Sequence, residues 1–328
     1  MKIKKWIFAL LMIVMAGLLG AALLLYDQEE IPIENAGQAV HGVQKQVSLV
    51  YKGEEYSLRN HLQTILLIGT DSTEQYEEKQ DVLQDYYNYN QADFLVLLVQ
   101  DTEANTTEVI QLNRDTMTEV PWLDVLGNYG GTEFEQLCLA FNYGDGGRES
   151  CLNTVDAVSS LLFDAPIDHY IQVPMSSIPI LNNLVGGVPV EIPEDLTNVD
   201  PSFVAGATVH LTGEQAEKFV RVRRQLADDT NTARMSRHRI YLESFREQAQ
   251  KAFDADSEFA LKLVEKVGEQ LQTDLTAQQL SDLMQTLDQS RVSPIRTADG
   301  ELVKGTEFYE FFVDEASLWE IVKRAYCQ

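Results

Sequence analysis

Trp6–Tyr26 reads WIFALLMIVMAGLLGAALLLY, 21 residues without a charge. As a helix rising about 1.5 Å per residue it would span roughly 31 Å, the thickness of a bilayer core. Trp6 and Tyr26 stand where interfacial aromatics belong, Lys2, Lys4 and Lys5 precede the span, and Asp27, Glu29 and Glu30 follow it. That asymmetry keeps the N-terminus in the cytoplasm and sends everything after residue 26 outside. A cleaved signal peptide is the competing reading. The apolar run is longer than a usual signal core, and no convincing small-x-small site followed by polar chain stands out after it. The expectation is a single-pass cell-membrane protein: a cytoplasmic tail 1–5, an anchor 6–26, a tether and small hairpin 27–60, and an extracytoplasmic remainder.

Charge narrows what that remainder can bind. After residue 26 the chain carries 22 bases against 51 acids, a formal charge of −29. Nucleic-acid binding depends on neutralising many phosphates, so a domain this acidic is repelled by it. Against this background Arg221, Arg223, Arg224, Arg234, Arg237 and Arg239 place six of the thirteen arginines within nineteen residues. A guanidinium offers a planar fork of donors that matches phosphate or carboxylate oxygens two at a time. The cluster therefore reads either as a phosphate grip or as surface arginines paired with neighbouring acids. Cys138, Cys151 and Cys327 show no metal-ligand spacing, and a Cys138–Cys151 pair is open to an extracytoplasmic domain.

Short apolar runs bounded by turn residues supply the sheet. VSLVYKGEEYSL (47–58) alternates about Lys52-Gly53 and predicts a hairpin. Thr64–Gly69, 93–100 and 108–117 predict three strands, the first two buried. Asp71 falls just past the end of the first, where ligands bind in α/β sheets and where aspartates also cap turns. Asp93 opens the second, and the third leads into Arg114-Asp115-Thr116. A strand start and a strand end meet on one sheet edge only when the strands are antiparallel, so the sheet is mixed. Residues 73–91 read as an acidic, tyrosine-rich loop. Helices are predicted at 133–142, 150–163, 176–184, from Leu211 onward, and at 232–251, with strands at 169–173 and 188–192 between them. On the 232–251 helix Arg234, Arg237, His238 and Tyr241 share one side. Strands alternating with helices indicate an α/β layered domain over 61–255. Beyond it, helices at 257–271, 276–288 and 316–325 suggest a mostly helical extension, 256–328.

Several separate stretches then coincide with one family. LLIGTDS at 66–72, ADFLVLLV at 92–99, LNRDTM at 112–117, NNLVGGVPVEIP at 182–193, and HLTGEQAEKFVRVR at 210–223 with TARMSRHR after it resemble the LytR–CpsA–Psr family of membrane-anchored cell-wall ligases. The resemblance covers about 61–250. It implies a three-layer α/β/α sandwich with a mixed central sheet. It implies Mg2+-dependent phosphotransfer, with Mn2+ as the alternative ion, moving a glycopolymer from a polyprenyl pyrophosphate lipid onto peptidoglycan. It places metal-binding aspartates at Asp71 and Asp93 and phosphate-gripping arginines at Arg114, Arg221, Arg223 and Arg234. Asp229 or Asp228, in a polar loop before Arg234, would be the base for a hydroxyl nucleophile.

The sequence departs from the family pattern at several places. Gln91 stands where an arginine is usual, Gln136 and Cys138 where a lysine and an asparagine are common, His238 where a glutamine is, and Asn231 where an aspartate often is. The linker between Asp71 and Asp93 is longer. Arg114, Arg221 and Asp229 are the expected catalytic set, with Arg223, Arg234, His238 and Gln91 on the substrate. The lost cations leave three outcomes: a different substrate, lowered activity, or an envelope protein that holds polyprenyl-linked glycans without transferring them. A transcriptional attenuator is the remaining alternative, opposed by the outward topology and the acidic domain.

Overall fold

The computed structural model describes residues 47–71, 90–123, 129–222 and 230–256, and most of 259–328. The 1–5 tail, the 6–26 anchor, nearly all of the 73–91 loop, Arg223, Arg224, Asp228 and Asp229, and much of the helices expected at 257–271 and 276–288 lie outside the described residues. Among the described residues no helix is long and apolar enough to cross a membrane.

The hairpin forms as expected, β1 (Ser48–Tyr51) against β2 (Glu54–Ser57). Lys52 and Gly53 turn it with φ of 50° and 82°, the left-handed values a two-residue hairpin turn requires. The apolar runs become β3 (Leu62–Thr70), β4 (Ala92–Asp101) and β5 (Thr106–Leu112). A second hairpin, β6 (Met117–Leu123) and β7 (Tyr129–Gln136), precedes a 3-10 turn, Leu137–Phe141, and helix α1 (Arg148–Leu161). Next come β8 (His169–Pro174), α2 (Ser177–Leu184), β9 (Val188–Glu191), β10 (Thr208–Leu211), α3 (Gly213–Arg221) and α4 (Asn231–Ala255). The chain closes with β11 (Gln272–Thr273), β12 (Arg291–Arg296), β13 (Gly300–Lys304), β14 (Tyr309–Val313) and α5 (Glu315–Tyr326).

Six strands form the central mixed sheet in the order β11-β8-β3-β4-β5-β12. β4 and β5 are antiparallel, in register from Asp101↔Thr106 to Leu95↔Leu112. Nearly every residue of β4 is buried, which is why it reads as a continuous apolar run instead of alternating.

The fold divides into two compact units. One holds, among the described residues, 47–68, 90–170 and 293–328. Its core joins Leu66 and Ile68 of β3 and Leu95, Leu97 and Val99 of β4 to Val158 of α1, Phe141, and Trp319 and Tyr326 of α5. Trp319 stacks on Tyr51 at 4.5 Å between ring centroids and meets Phe163 edge-on at 5.2 Å. Arg59 fastens the C-terminus, donating from Nε to the Cys327 carbonyl at 3.1 Å and from Nη2 to the Ala325 carbonyl at 2.7 Å.

The other unit holds 69–71 and 171–292. β9 and β10 pair with each other, apart from the central sheet, and Val188, Val190 and Leu211 pack with Phe219 of α3 and Tyr241 and Phe245 of α4. The LTGEQ stretch starts α3 through a reciprocal cap. Gln215 N donates to Thr212 Oγ1 at 3.3 Å and Thr212 N to Gln215 Oε1 at 3.1 Å. A Cβ on Gly213 would lie 2.6 Å from the Pro179 carbonyl oxygen, so only glycine fits there.

Three expectations change. The helix predicted at 133–142 is the end of β7 followed by the 3-10 turn. Its helical spacing is real for Leu137, Cys138 and Phe141, which are buried, but Phe134 is exposed and pairs across the hairpin with Glu119. Backbone pairing to β6 overrides the local pattern. The segment after 256, expected as a mostly helical extension, supplies β11 and β12 to the two edges of the central sheet and α5 to a core. Cys138, Cys151 and Cys327 are buried and form no disulfide, so Cys138 and Cys151 are not bonded to each other.

Because α5 closes a core through one indole, Trp319→Ala should destabilise the chain by about 3–5 kcal/mol, read as a lowered midpoint in chemical denaturation of the full chain.

Candidate functional site

In the first unit, the β4–β5 register extended two residues past Leu95↔Leu112 places Asp93 opposite Arg114. The ends of both strands thereby put a carboxylate and a guanidinium side by side. All three guanidinium nitrogens of Arg114 donate to side chains of this chain. Nη1 bonds Asp93 Oδ1, Nη2 bonds Gln91 Oε1 at 2.7 Å, and Nε bonds Asp115 Oδ1 at 3.1 Å. Arg114 is only 7% exposed. Burial alone would lower its pKa, but Cys138, Asp93 and Asp115 outweigh that and raise it, so the guanidinium is held firmly charged. The loop that carries it is pinned as well. Cys138 N donates to the Arg114 carbonyl at 3.0 Å, and Asp115 N to Asn113 Oδ1 at 3.0 Å.

In the second unit, Asp71 follows β3 and its Oδ1 accepts from Arg221 Nη2, at the last residue of α3. Glu217, one turn earlier, takes Arg221 Nη1 at 3.3 Å. Among the described residues, Arg221 Nε is buried and meets no hydrogen-bond acceptor. An unsatisfied buried donor on a charged fork is costly unless an oxygen meets it. Helix α4 turns its predicted face inward: Arg234, Arg237, His238 and Tyr241 are all buried. Arg234 donates to Asn231 Oδ1 from Nε at 3.0 Å and from Nη2 at 2.7 Å. Arg237 bonds Glu194 Oε1 at 2.8 Å and the Val222 carbonyl. His238 Nε2 lies 2.9 Å from the Val220 carbonyl oxygen, which can only accept, so Nε2 carries a proton. Burial raises the pKa of Tyr241, whose hydroxyl stays protonated and donates to Asn182 Oδ1 at 3.2 Å.

The structure thus brings Gln91, Asp93 and Arg114 together in one unit and Asp71 with Arg221 in the other. Arg234 and His238 keep company with α3 and α4 residues, and Arg223 and Asp229 lie outside the described residues. Among the described residues no group of three or more His, Cys, Asp or Glu gathers as a metal cage. Asp115 and Glu194 were missed from the sequence. Asp115 had a signal, its place beside Arg114, whereas Glu194 meets Arg237 only through the tertiary fold.

Residues 33–325 match the LytR_cpsA_psr family model. The chain belongs to that family. TagU of Bacillus cereus (strain AH820), a polyisoprenyl-teichoic acid–peptidoglycan teichoic acid transferase, is 28% identical over 162 residues, 49% of this chain and 45% of TagU. TagV of Bacillus subtilis (strain 168), which carries the same transferase name, is 26% identical over 152 residues, 44% of this chain and 36% of TagV. The chain therefore spans less than half the length of these curated relatives. Among solved structures, B. subtilis TagV has a TM-score of 0.57 at 21% identity, over 81% of this chain and 96% of its own. TagT bound to LIIa-WTA has a TM-score of 0.57 at 19% identity, over 81% of this chain and 90% of its own. These likenesses establish a shared LytR_cpsA_psr fold.

Arg114→Lys keeps the charge but cannot reproduce three divergent donors on one plane. It should cost about 1.5–3 kcal/mol, measured by denaturation of the full chain.

Proposed function

We propose that this protein is a membrane-anchored phosphotransferase that moves an anionic glycopolymer from a polyprenyl pyrophosphate carrier to peptidoglycan. Family membership and the named activities of TagU and TagV support the reading. The observation that carries it is the pairing of arginines with aspartates at strand ends, together with the buried Nε–H of Arg221, which meets no acceptor among the described residues. Guanidiniums already satisfied by carboxylate oxygens have the geometry for phosphate oxygens, and one donor is left over for them. In this reading residues 6–26 anchor the chain with its C-terminal domain outside the cell, and the sheet is the middle of a three-layer α/β/α sandwich.

The donor chemistry of Asp71 and Asp93 fits a magnesium ion. Both offer carboxylate oxygen alone, and magnesium keeps one or two carboxylates while taking its remaining ligands from water and phosphate. Mn2+ accepts the same oxygens. When bound, the ion would neutralise charge gathering on the diphosphate. Arg114 and Arg221, each in its own unit, are the proposed phosphate ligands, and Arg223, Arg234, Gln91 and His238 the proposed substrate ligands. Asp229 takes the proton of the attacking hydroxyl of the acceptor. The bond to the leaving polyprenyl phosphate breaks as the new phosphodiester forms.

Asp93 cannot serve Arg114 and an ion equally well, so ion and phosphate should bind cooperatively. Calorimetry of the full chain should show that Mg2+ raises affinity for inorganic pyrophosphate. Asp93→Asn should raise the metal-free affinity and erase the magnesium effect.

Activity is tested with a polyprenyl-pyrophosphate-linked glycopolymer and peptidoglycan, following released polyprenyl phosphate by mass spectrometry. Release should stop on chelation and fall by about 10²–10³ in Asp93→Ala. Absence of release from the wild type with every lipid-linked polymer tried would reject the transferase. Retained lipid in that case would favour a binding protein, the reading suggested by a clamp already filled with the chain's own acceptors.

A further inference from the structure

Beneath Arg114 lies a second layer of contacts that the chemistry above leaves unused. Gln136 ends β7 and pairs with Met117 of β6. Its Nε2 donates to the Tyr309 carbonyl at 2.6 Å and reaches Asp115 Oδ1 at 3.4 Å. That same Oδ1 receives Arg114 Nε. β14 is tied to the loop again through its backbone. Phe311 N donates to the Asp115 carbonyl at 2.8 Å, and Thr116 bridges to Phe311. Asp115 is 1% exposed, so its orientation is set by these partners and not by water.

We propose that Gln136 is a positioning residue, and that through Asp115 it locks the Arg114 guanidinium to the β13–β14 hairpin near the C-terminus. The proposal rests on Arg114 being a phosphate ligand. An amide nitrogen has two hydrogens, and here one faces a backbone carbonyl and the other a carboxylate. Losing them frees Asp115 to rotate about its χ angles. The Nε bond that orients the fork then loosens, while the Asp93 and Gln91 bonds remain. The guanidinium stays charged and buried but is no longer aimed. Supporting groups of this kind act through the residue they hold, so their effect should vanish when that residue loses its fork.

The test is a double-mutant cycle on the full chain, with inorganic pyrophosphate and Mg2+ as the probe in titration calorimetry. Gln136→Met removes both donors and keeps the length. It should weaken pyrophosphate binding about tenfold, with the thermal midpoint little changed. In the Arg114→Lys background, where the charge survives without Nε, the same substitution should change affinity less than about twofold. Equal weakening in both backgrounds would mean a general packing role and overturn the proposal, as would no weakening in either. Should Gln136→Met fail to fold, Gln136→Glu removes the same donors and is taken through the same cycle. Hydrogen exchange at the Arg114 Nε–H, followed by NMR without ligand, should quicken in the folded variant, and unchanged exchange would count against the lock. Wild type that binds no pyrophosphate under any condition would remove Arg114 as a phosphate ligand, and the proposal with it. Wild type that binds while Gln136→Met binds equally well removes only the positioning role.

Discussion

A guanidinium buried to 93% of its residue surface cannot be left without acceptors, and the ends of β4 and β5 are arranged around that requirement. Removing a charge from water costs several kcal/mol, and only close, well-directed partners recover it. Arg114 has three: Asp93 from the facing strand, Asp115 from its own loop, and Gln91 just before β4. The antiparallel register makes Asp93 available, and close packing of the apolar side chains on both faces of β4 holds the strand in that register. Packing and polar chemistry are therefore one constraint at this edge. Leu95, Leu97 and Val99 hold the strand so that Asp93 falls where the cation needs it.

The arginines elsewhere follow the same logic within a strongly acidic chain. Arg237 meets Glu194, Arg221 meets Asp71 and Glu217, and Arg296 meets Glu108 at 3.2 Å. The pairs differ in what they can do. Arg237 is 1% exposed and also holds the Val222 carbonyl, which makes it a strut for the junction after α3. Arg221 keeps more than a third of its side chain exposed and, among the described residues, retains a donor without an acceptor. Among the described residues, the run of arginines that looked uniform in the sequence thus separates by burial: Arg234 and Arg237 are buried and brace the fold, whereas Arg221 is partly exposed.

The sheet was legible because burial on both faces writes itself as unbroken apolar runs, and α3 because its cap is spelled out in Thr212 and Gln215. The 133–142 stretch misled because Phe134, Leu137, Cys138 and Phe141 carry a helical period that a strand and a 3-10 turn can share. What decides between them is the partner strand β6, and sequence spacing does not encode partners. The same blindness hid the C-terminal segment. β11 is two residues long and β12 carries Pro294 within its six, which blurs the strand signal, yet they take the two edges of the central sheet. At the site, Asp93 and Arg114 could be found from their places at strand ends. Gln91 stood out only as a departure from the family pattern. In the folded chain its amide oxygen accepts from Arg114.

That hydrogen bond changes how the missing cation at position 91 is understood. A positively charged side chain there would stand against the Arg114 Nη2 and push it away. A glutamine oxygen instead completes its acceptors and holds the fork flat. Where the family resemblance implies an arginine, this chain places a neutral acceptor against Arg114. The proposed phosphate site, with a rigid guanidinium, gains less from raw attraction and more from fit, because the phosphate would not have to organise the group that grips it. It also depends more heavily on whatever keeps the remaining guanidinium in place. That dependence runs from Arg114 to Asp115 and from Asp115 to β14, so residues far apart in the chain serve a single side chain.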